Sequence, residues 1–144
     1  MTATLDIRPC VDADRDAVVA LWSACGLVVP WNDPAADFVL ALSKDNSAVL
    51  AGVLDGRVVA SVMVGQDGHR GWIYYLAVDP THQGRGFGRR MVAEAESWLA
   101  AAGMPKVQLL VRNTNERVLA FYERLGYAKP PTMLMQKWLT NPSP

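Results

Sequence analysis

The chain has 144 residues, 51% of them hydrophobic, with 14 basic and 14 acidic side chains and a formal net charge of zero. That length fits one compact domain with its own core, and the charge balance argues against nucleic acid as the main partner, because a phosphate-binding surface shows as basic excess. No apolar run reaches the ~20 residues that span a bilayer, and Asp6, Arg8, Asp12 and Asp14 interrupt the N-terminus where a signal peptide needs an apolar stretch.

In chain order, Leu5 to Arg8 alternates as a short strand and stops at Pro9. Val18, Leu21, Trp22 and Cys25 then recur at helical spacing behind the polar turn Asp14-Arg15-Asp16, and Gly26 can close the helix. Cys25 falls on the apolar side of that helix. With Cys10 as its only fellow it suggests no disulfide framework, so a reduced, cytoplasmic protein is expected. The loop Val29 to Pro34 leads into a second helix over Ala35 to Ser43, with Asp33 at the N-cap and Pro34 at the first position. Ala48 to Leu54 and Arg57 to Gly65 are strand-like runs joined by Asp55-Gly56, a strong hairpin signal. Gly71 to Val78 is a further strand, rich in aromatic and β-branched residues.

A long helix follows from about Gly86 to Ala102, with Phe87, Met91, Ala95, Trp98 and Leu99 on its inner face. Lys106 to Val111 reads as a central strand, Asn115 to Leu125 as a helix closed by Gly126, and Met133 to Trp138 as a last strand. The expected class is mixed α/β (α+β), a twisted sheet of six to seven strands flanked by about four helices. The meander Ala48 to Val78 is antiparallel and the crossover from Gly71 to Val111 parallel and right-handed. Residues 1–139 form one domain, and 140–144 read as a frayed tail.

Chemistry concentrates at Gln83-Gly84-Arg85-Gly86-Phe87-Gly88, between the fourth strand and the long helix. Glycines allow backbone conformations closed to other residues. The helix that follows has unpaired amides and a positive partial charge at its start, a combination suited to a pyrophosphate. Arg85 and Arg89 can add charge-assisted contacts. The motif alone is also compatible with plain strand–helix packing. It is not a Walker loop, which needs Gly-Lys-Ser/Thr. It is not a dinucleotide fingerprint either, which needs Gly-x-Gly-x-x-Gly near the first strand.

Gln83-x-x-Gly86-x-Gly88 after Leu76-Ala77-Val78-Asp79-Pro80 resembles the coenzyme A loop of the GNAT N-acetyltransferases. The run Asn115 to Tyr127, with Phe121-Tyr122-Glu123-Arg124-Leu125-Gly126-Tyr127, is similar to that family's other block. Trp31 to Pro34 and Asp67 to Gly71 resemble the bacterial YpeA-type members. The resemblance covers almost the whole chain. It implies an acetyl-CoA-dependent N-acetyltransferase acting by direct attack of a small-molecule or peptide amine, as a monomer or homodimer, without nucleic acid or membrane.

The same resemblance implies that Leu76, Ala77, Val78, Gln83 to Arg89 and Asn115 bind the co-substrate. The strand from Lys106 splays away to admit it, an amide near Leu76 or Ala77 meets the oxyanion, and Tyr122 is the general acid. A core tyrosine and an N-cap asparagine are the plainer readings of Tyr122 and Asn115. The strand before the loop, Trp72-Ile73-Tyr74-Tyr75-Leu76, lacks the glutamate that many relatives use as base. The routes then open to deprotonation are water held by backbone or Tyr74, and Asp67 or His69, both of which are more simply loop residues. The acceptor pocket is expected around Trp31, Asn32, Asp33, Asp37 and the loop Asp67 to Arg70. His69, His82 and the scattered carboxylates show no metal-ligand spacing. The competing readings are a non-catalytic acyl-CoA-binding or regulatory module and an interaction domain in which the turn merely packs the helix.

Overall fold

The computed structural model describes residues 4–141. Its elements are β1 (Asp6–Pro9), α1 (Arg15–Ala24), α2 (Pro34–Leu42), β2 (Ser47–Leu54), β3 (Arg57–Gln66), β4 (Gly71–Val78), α3 (Phe87–Ala101), β5 (Val107–Leu109) and α4 (Glu116–Arg124). Single 3-10 turns cover Asp12–Asp14 and Pro80–His82. The sheet order is β1-β2-β3-β4-β5, antiparallel through β4 and parallel between β4 and β5.

Local chemistry accounts for the boundaries. Asp55 and Gly56 both hold positive φ, +51° and +78°, the requirement of a two-residue I′ turn, and Leu54 pairs with Arg57 across it. Asp33 accepts a hydrogen bond from the Ala36 amide at 3.1 Å, with Pro34 at the first helical position. The period of two in the strands then divides the core. Leu50, Val62 and Val64 pack with Met91, Ala95 and Leu99 of α3. Val49 and Ala51 pack with Val18, Trp22 and Phe38 of α1 and α2. Helices therefore cover both faces. Trp22 and Ser61 are fully buried, and Trp22 Nε1 donates to Ser61 Oγ at 2.9 Å, which satisfies both.

Among the described residues the sheet has five strands, not six to seven. Met133 to Trp138 is not a strand: Met133 is 87% exposed and Met135 89%. Pro130 and Pro131 just before it have no amide to give a ladder, and Met-Leu-Met-Gln-Lys-Trp does not alternate. A strand-like composition extends the chain, and only a paired edge makes a strand of it. β5 is shorter than Lys106 to Val111, because pairing with β4 ends at Leu109. The four helices match the expectation. Of the expected tail, 142–144 lie outside the described residues. No helix among the described residues is long and apolar enough to cross a membrane.

Candidate active site

β4 and β5 pair only over Gly71–Ile73 and Val107–Leu109. Beyond that point they separate, and the gap is a cleft of about 940 Å³ walled by Tyr74, Tyr75, Leu76 and Val78 on one side and Leu109 to Arg112 on the other. The glycine turn closes one end. Gly84 and Gly86 hold φ of +80° and +79°, and Gly86 is the N-cap of α3. Gly88 packs against α4: a Cβ there would sit in ordinary contact with Phe121, 3.4 Å from its Cζ. Gln83 Nε2 donates to the Val78 carbonyl at 3.3 Å and ties the turn to the end of β4.

Charge in the cleft is one-sided. Arg89, Arg112, Arg117 and Arg124 line it, and no Asp or Glu does among the described residues. In a chain of zero net charge this separation makes the cleft a site for an anion. The apolar walls formed by Leu76, Val78, Leu109 and Val111 suit a long, weakly polar chain between the anionic end and the reactive one. The residues present therefore fit acetyl-CoA.

Tyr122 stands in the wall on α4, 6% exposed. Burial raises its phenol from 10.0 to about 12, so it carries its proton throughout the neutral range. Among the described residues no protein group pairs with its hydroxyl. Asn115 also lines the cleft, but its side chain accepts from the Val118 amide at 3.3 Å and caps α4.

Of the other residues singled out in the sequence, Gly84, Phe87, Arg89, Asn32 and Tyr74 share the cleft. Ala77 is buried against the α1–α2 side of the sheet, and Arg85 is exposed on the turn outside the cleft wall. Trp31 lies beside the cleft, its ring under the Arg112 guanidinium at 5.5 Å. Asp33 is the cap of α2. Asp67 and His69 sit in the loop before β4 and do not line the cleft. Asp67 accepts from the Arg70 and His69 amides at 2.7 and 2.9 Å, which hold its carboxyl below the usual range.

Sequence reasoning missed Tyr75. The β3–β4 register jumps from Ser61↔Ala77 to Met63↔Tyr74, so Tyr75 and Leu76 face the single residue Val62 in a bulge. Tyr75 has φ +51°, a conformation that costs an L-residue about 1–2 kcal/mol. Its hydroxyl donates to Asp37 Oδ2 at 2.7 Å, and its ring stacks on Trp22 at 3.9 Å and 10°. Burial and the Asp37 carboxylate hold its phenol well above the usual range. Arg112, Arg117 and Arg124 were missed too, although Arg117 and Arg124 are seven residues apart on one face of α4, a spacing visible in the sequence.

Residues 12–127 match the model of the Acetyltransferase (GNAT) family. An acetyltransferase of Yersinia enterocolitica is 40% identical over 135 residues, covering 94% of this chain and 96% of the relative. One of Pectobacterium atrosepticum is 42% identical over 123 residues, covering 85% and 87%. Among solved structures, a putative acetyltransferase from Agrobacterium tumefaciens superposes with TM-score 0.78 at 21% identity, covering 92% of this chain and 99% of that one. AAC(6')-Iy in complex with the bisubstrate analog CoA-S-monomethyl-acetylneamine gives TM-score 0.81 at 15% identity, covering 95% and 99%. The two structural likenesses concern the fold.

Proposed function

The chain belongs to the GNAT acetyltransferase family, and on that premise we propose that it moves the acetyl group of acetyl-CoA to a primary amine of a small molecule or peptide by direct attack, with Tyr122 as general acid. The observation that carries this reading is the cleft between the parted strands, with four arginines, no carboxylate and a buried, protonated tyrosine in its wall.

Bound acetyl-CoA would supply the activated thioester. The chain's own residues do the rest. The α3 amides behind Gly84 and Gly86, with Arg89, hold the pyrophosphate. Leu76 sits at the β4 bulge and lines the cleft, and its amide is the oxyanion donor. Between the two sequence candidates Leu76 is favoured, because Ala77 is in register with Ser61. As the carbon–sulfur bond breaks, Tyr122 gives its proton to the leaving thiolate, and the new amide nitrogen loses its own to water. With no Asp or Glu lining the cleft among the described residues, the amine arrives neutral in this reading. For a lysine-like amine that form is ~10⁻³ of the total at pH 7, so the rate should climb with pH toward the amine's own pKa.

The test is thiol release from acetyl-CoA over a panel containing a lysine peptide, a polyamine and an aminoglycoside, alongside calorimetry with coenzyme A. Thiol release above the hydrolysis background supports the enzyme. Tight coenzyme A binding with no release on any amine supports the competing reading, a non-catalytic acyl-CoA-binding module, which the carboxylate-free cleft also favours.

A further inference from the structure

Tyr75 is the residue of the cleft that the proposed chemistry leaves without a task, and it is the most constrained. Its backbone occupies the left-handed region without being glycine. A tyrosine stays there only if its surroundings hold it, and two contacts do. On one side the ring lies flat on Trp22, which is fully buried and itself fixed by the hydrogen bond to Ser61 Oγ. On the other the hydroxyl is held at 2.7 Å by Asp37 of α2, with Asn32 and Asp33 close by. Ser61 is also the β3 partner of Ala77, so the chain of contacts closes on the strand it constrains.

We infer that Tyr75 and Asp37 are positioning residues: the Trp22–Tyr75–Asp37 clamp locks the β4 bulge in the shape that turns the Leu76 amide into the cleft. The donor role of that amide rests on the proposed function, whereas the clamp does not. A relaxed bulge would let Tyr75 return to negative φ and swing the Leu76 N–H toward β3, away from the place of the thioester carbonyl. The clamp needs Asp37 as a hydrogen-bond acceptor and does not depend on its charge. Its amide analogue therefore serves the same purpose, which separates positioning from a base or a cation-binding role.

Four proteins decide this: wild type, Tyr75→Phe, which keeps the stack and loses the hydrogen bond, Asp37→Ala and Asp37→Asn. In the ligand-free proteins the clamp predicts that the backbone amide resonances of Tyr75 and Leu76 move together in Tyr75→Phe and Asp37→Ala, and stay at their wild-type positions in Asp37→Asn. With acetyl-CoA labelled with carbon-13 at the carbonyl, the displacement of that resonance on binding falls by more than half in the first two variants and persists in the third. The Tyr75→Phe/Asp37→Ala double variant is no worse than either single one. Unmoved amides in Tyr75→Phe overturn the clamp, as does an Asp37→Asn protein that behaves like Asp37→Ala. A wild-type protein that gives no calorimetric signal with acetyl-CoA overturns the proposed function instead, and the ligand-free resonances still decide the clamp.

Discussion

Replacing Gly86 by alanine tests the glycine turn without introducing a clash. Gly86 holds φ +79°, and a Cβ added there would meet nothing within 4 Å. What remains is the cost of keeping an L-residue in the left-handed region, about 1–2 kcal/mol. That cost falls in one of two places. If the substituted turn keeps its shape, stability drops and coenzyme A affinity does not. If the turn relaxes to negative φ, stability is spared and affinity drops by up to about 5–30-fold, the equivalent of that free energy. In both cases the step from unfolded chain to coenzyme A-bound protein becomes less favourable by the same amount. The thermal midpoint under saturating coenzyme A should therefore fall by roughly 3–8 °C. Gly68 is the control. It has φ +84°, also with open space around a Cβ, but lies in the β3–β4 loop away from the cleft. Gly68→Ala should lower the midpoint similarly and leave affinity untouched. The reasoning fails if Gly86→Ala matches wild type in both measurements, or if Gly68→Ala weakens coenzyme A binding as much.

Tyr122→Phe should lower turnover by about 10²–10⁴-fold, the range for loss of a positioned acid, while calorimetric coenzyme A affinity changes little; retained turnover removes Tyr122 from the mechanism. The same variant has a signature in stability. Because burial raises Tyr122 from 10.0 to about 12, the folded state holds this proton more tightly than the unfolded one. Its contribution is complete below pH 10 and lost as pH climbs through 12. The unfolding free energy from urea titrations should fall more steeply for wild type than for Tyr122→Phe across that window, by up to ~1.4 kcal/mol per pH unit, and parallel curves would refute the assignment. Gly71→Ala should destabilise by about 1–3 kcal/mol through overpacking, since its Cβ would lie 2.6 Å from both terminal carbons of the buried Leu99; a urea midpoint equal to wild type would mean that α3 yields easily.

Features decided by neighbours along the chain could be read directly. Asp55-Gly56 announces its turn because both positions need positive φ, and Asp33-Pro34 announces α2 because the carboxylate and the missing amide both serve a helix start. The glycine turn and Tyr122 were visible as motifs, and both stand in one cleft wall. What depended on pairing was not readable. The bulge at Tyr75 carries no glycine to mark it, since its conformation is held by Trp22 and Asp37 from distant parts of the chain. As a result Tyr74 and Tyr75 both reach the cleft, where strict alternation admits only one of them. The run at Met133 has a strand's composition but pairs with neither edge strand of the sheet, β1 or β5. Asp67 was named as a candidate base, and its Oδ1 accepts from two amides of its own loop, a pairing that only the folded loop shows.

The arginine lining of the cleft has a consequence for the end of the reaction cycle. Acetyl-CoA and free coenzyme A carry the same phosphates, so on the proposed reading Arg89, Arg112, Arg117 and Arg124, which line the cleft, attract substrate and product equally. Attraction of that kind fills the site at low concentration but does nothing for the chemical step, and it slows the departure of the spent carrier. In the proposed mechanism only the acetyl end, at Leu76 and Tyr122, distinguishes the two. An enzyme built this way is prone to inhibition by its own product, and neutralising one arginine should speed turnover at saturating acetyl-CoA wherever release is the slow step.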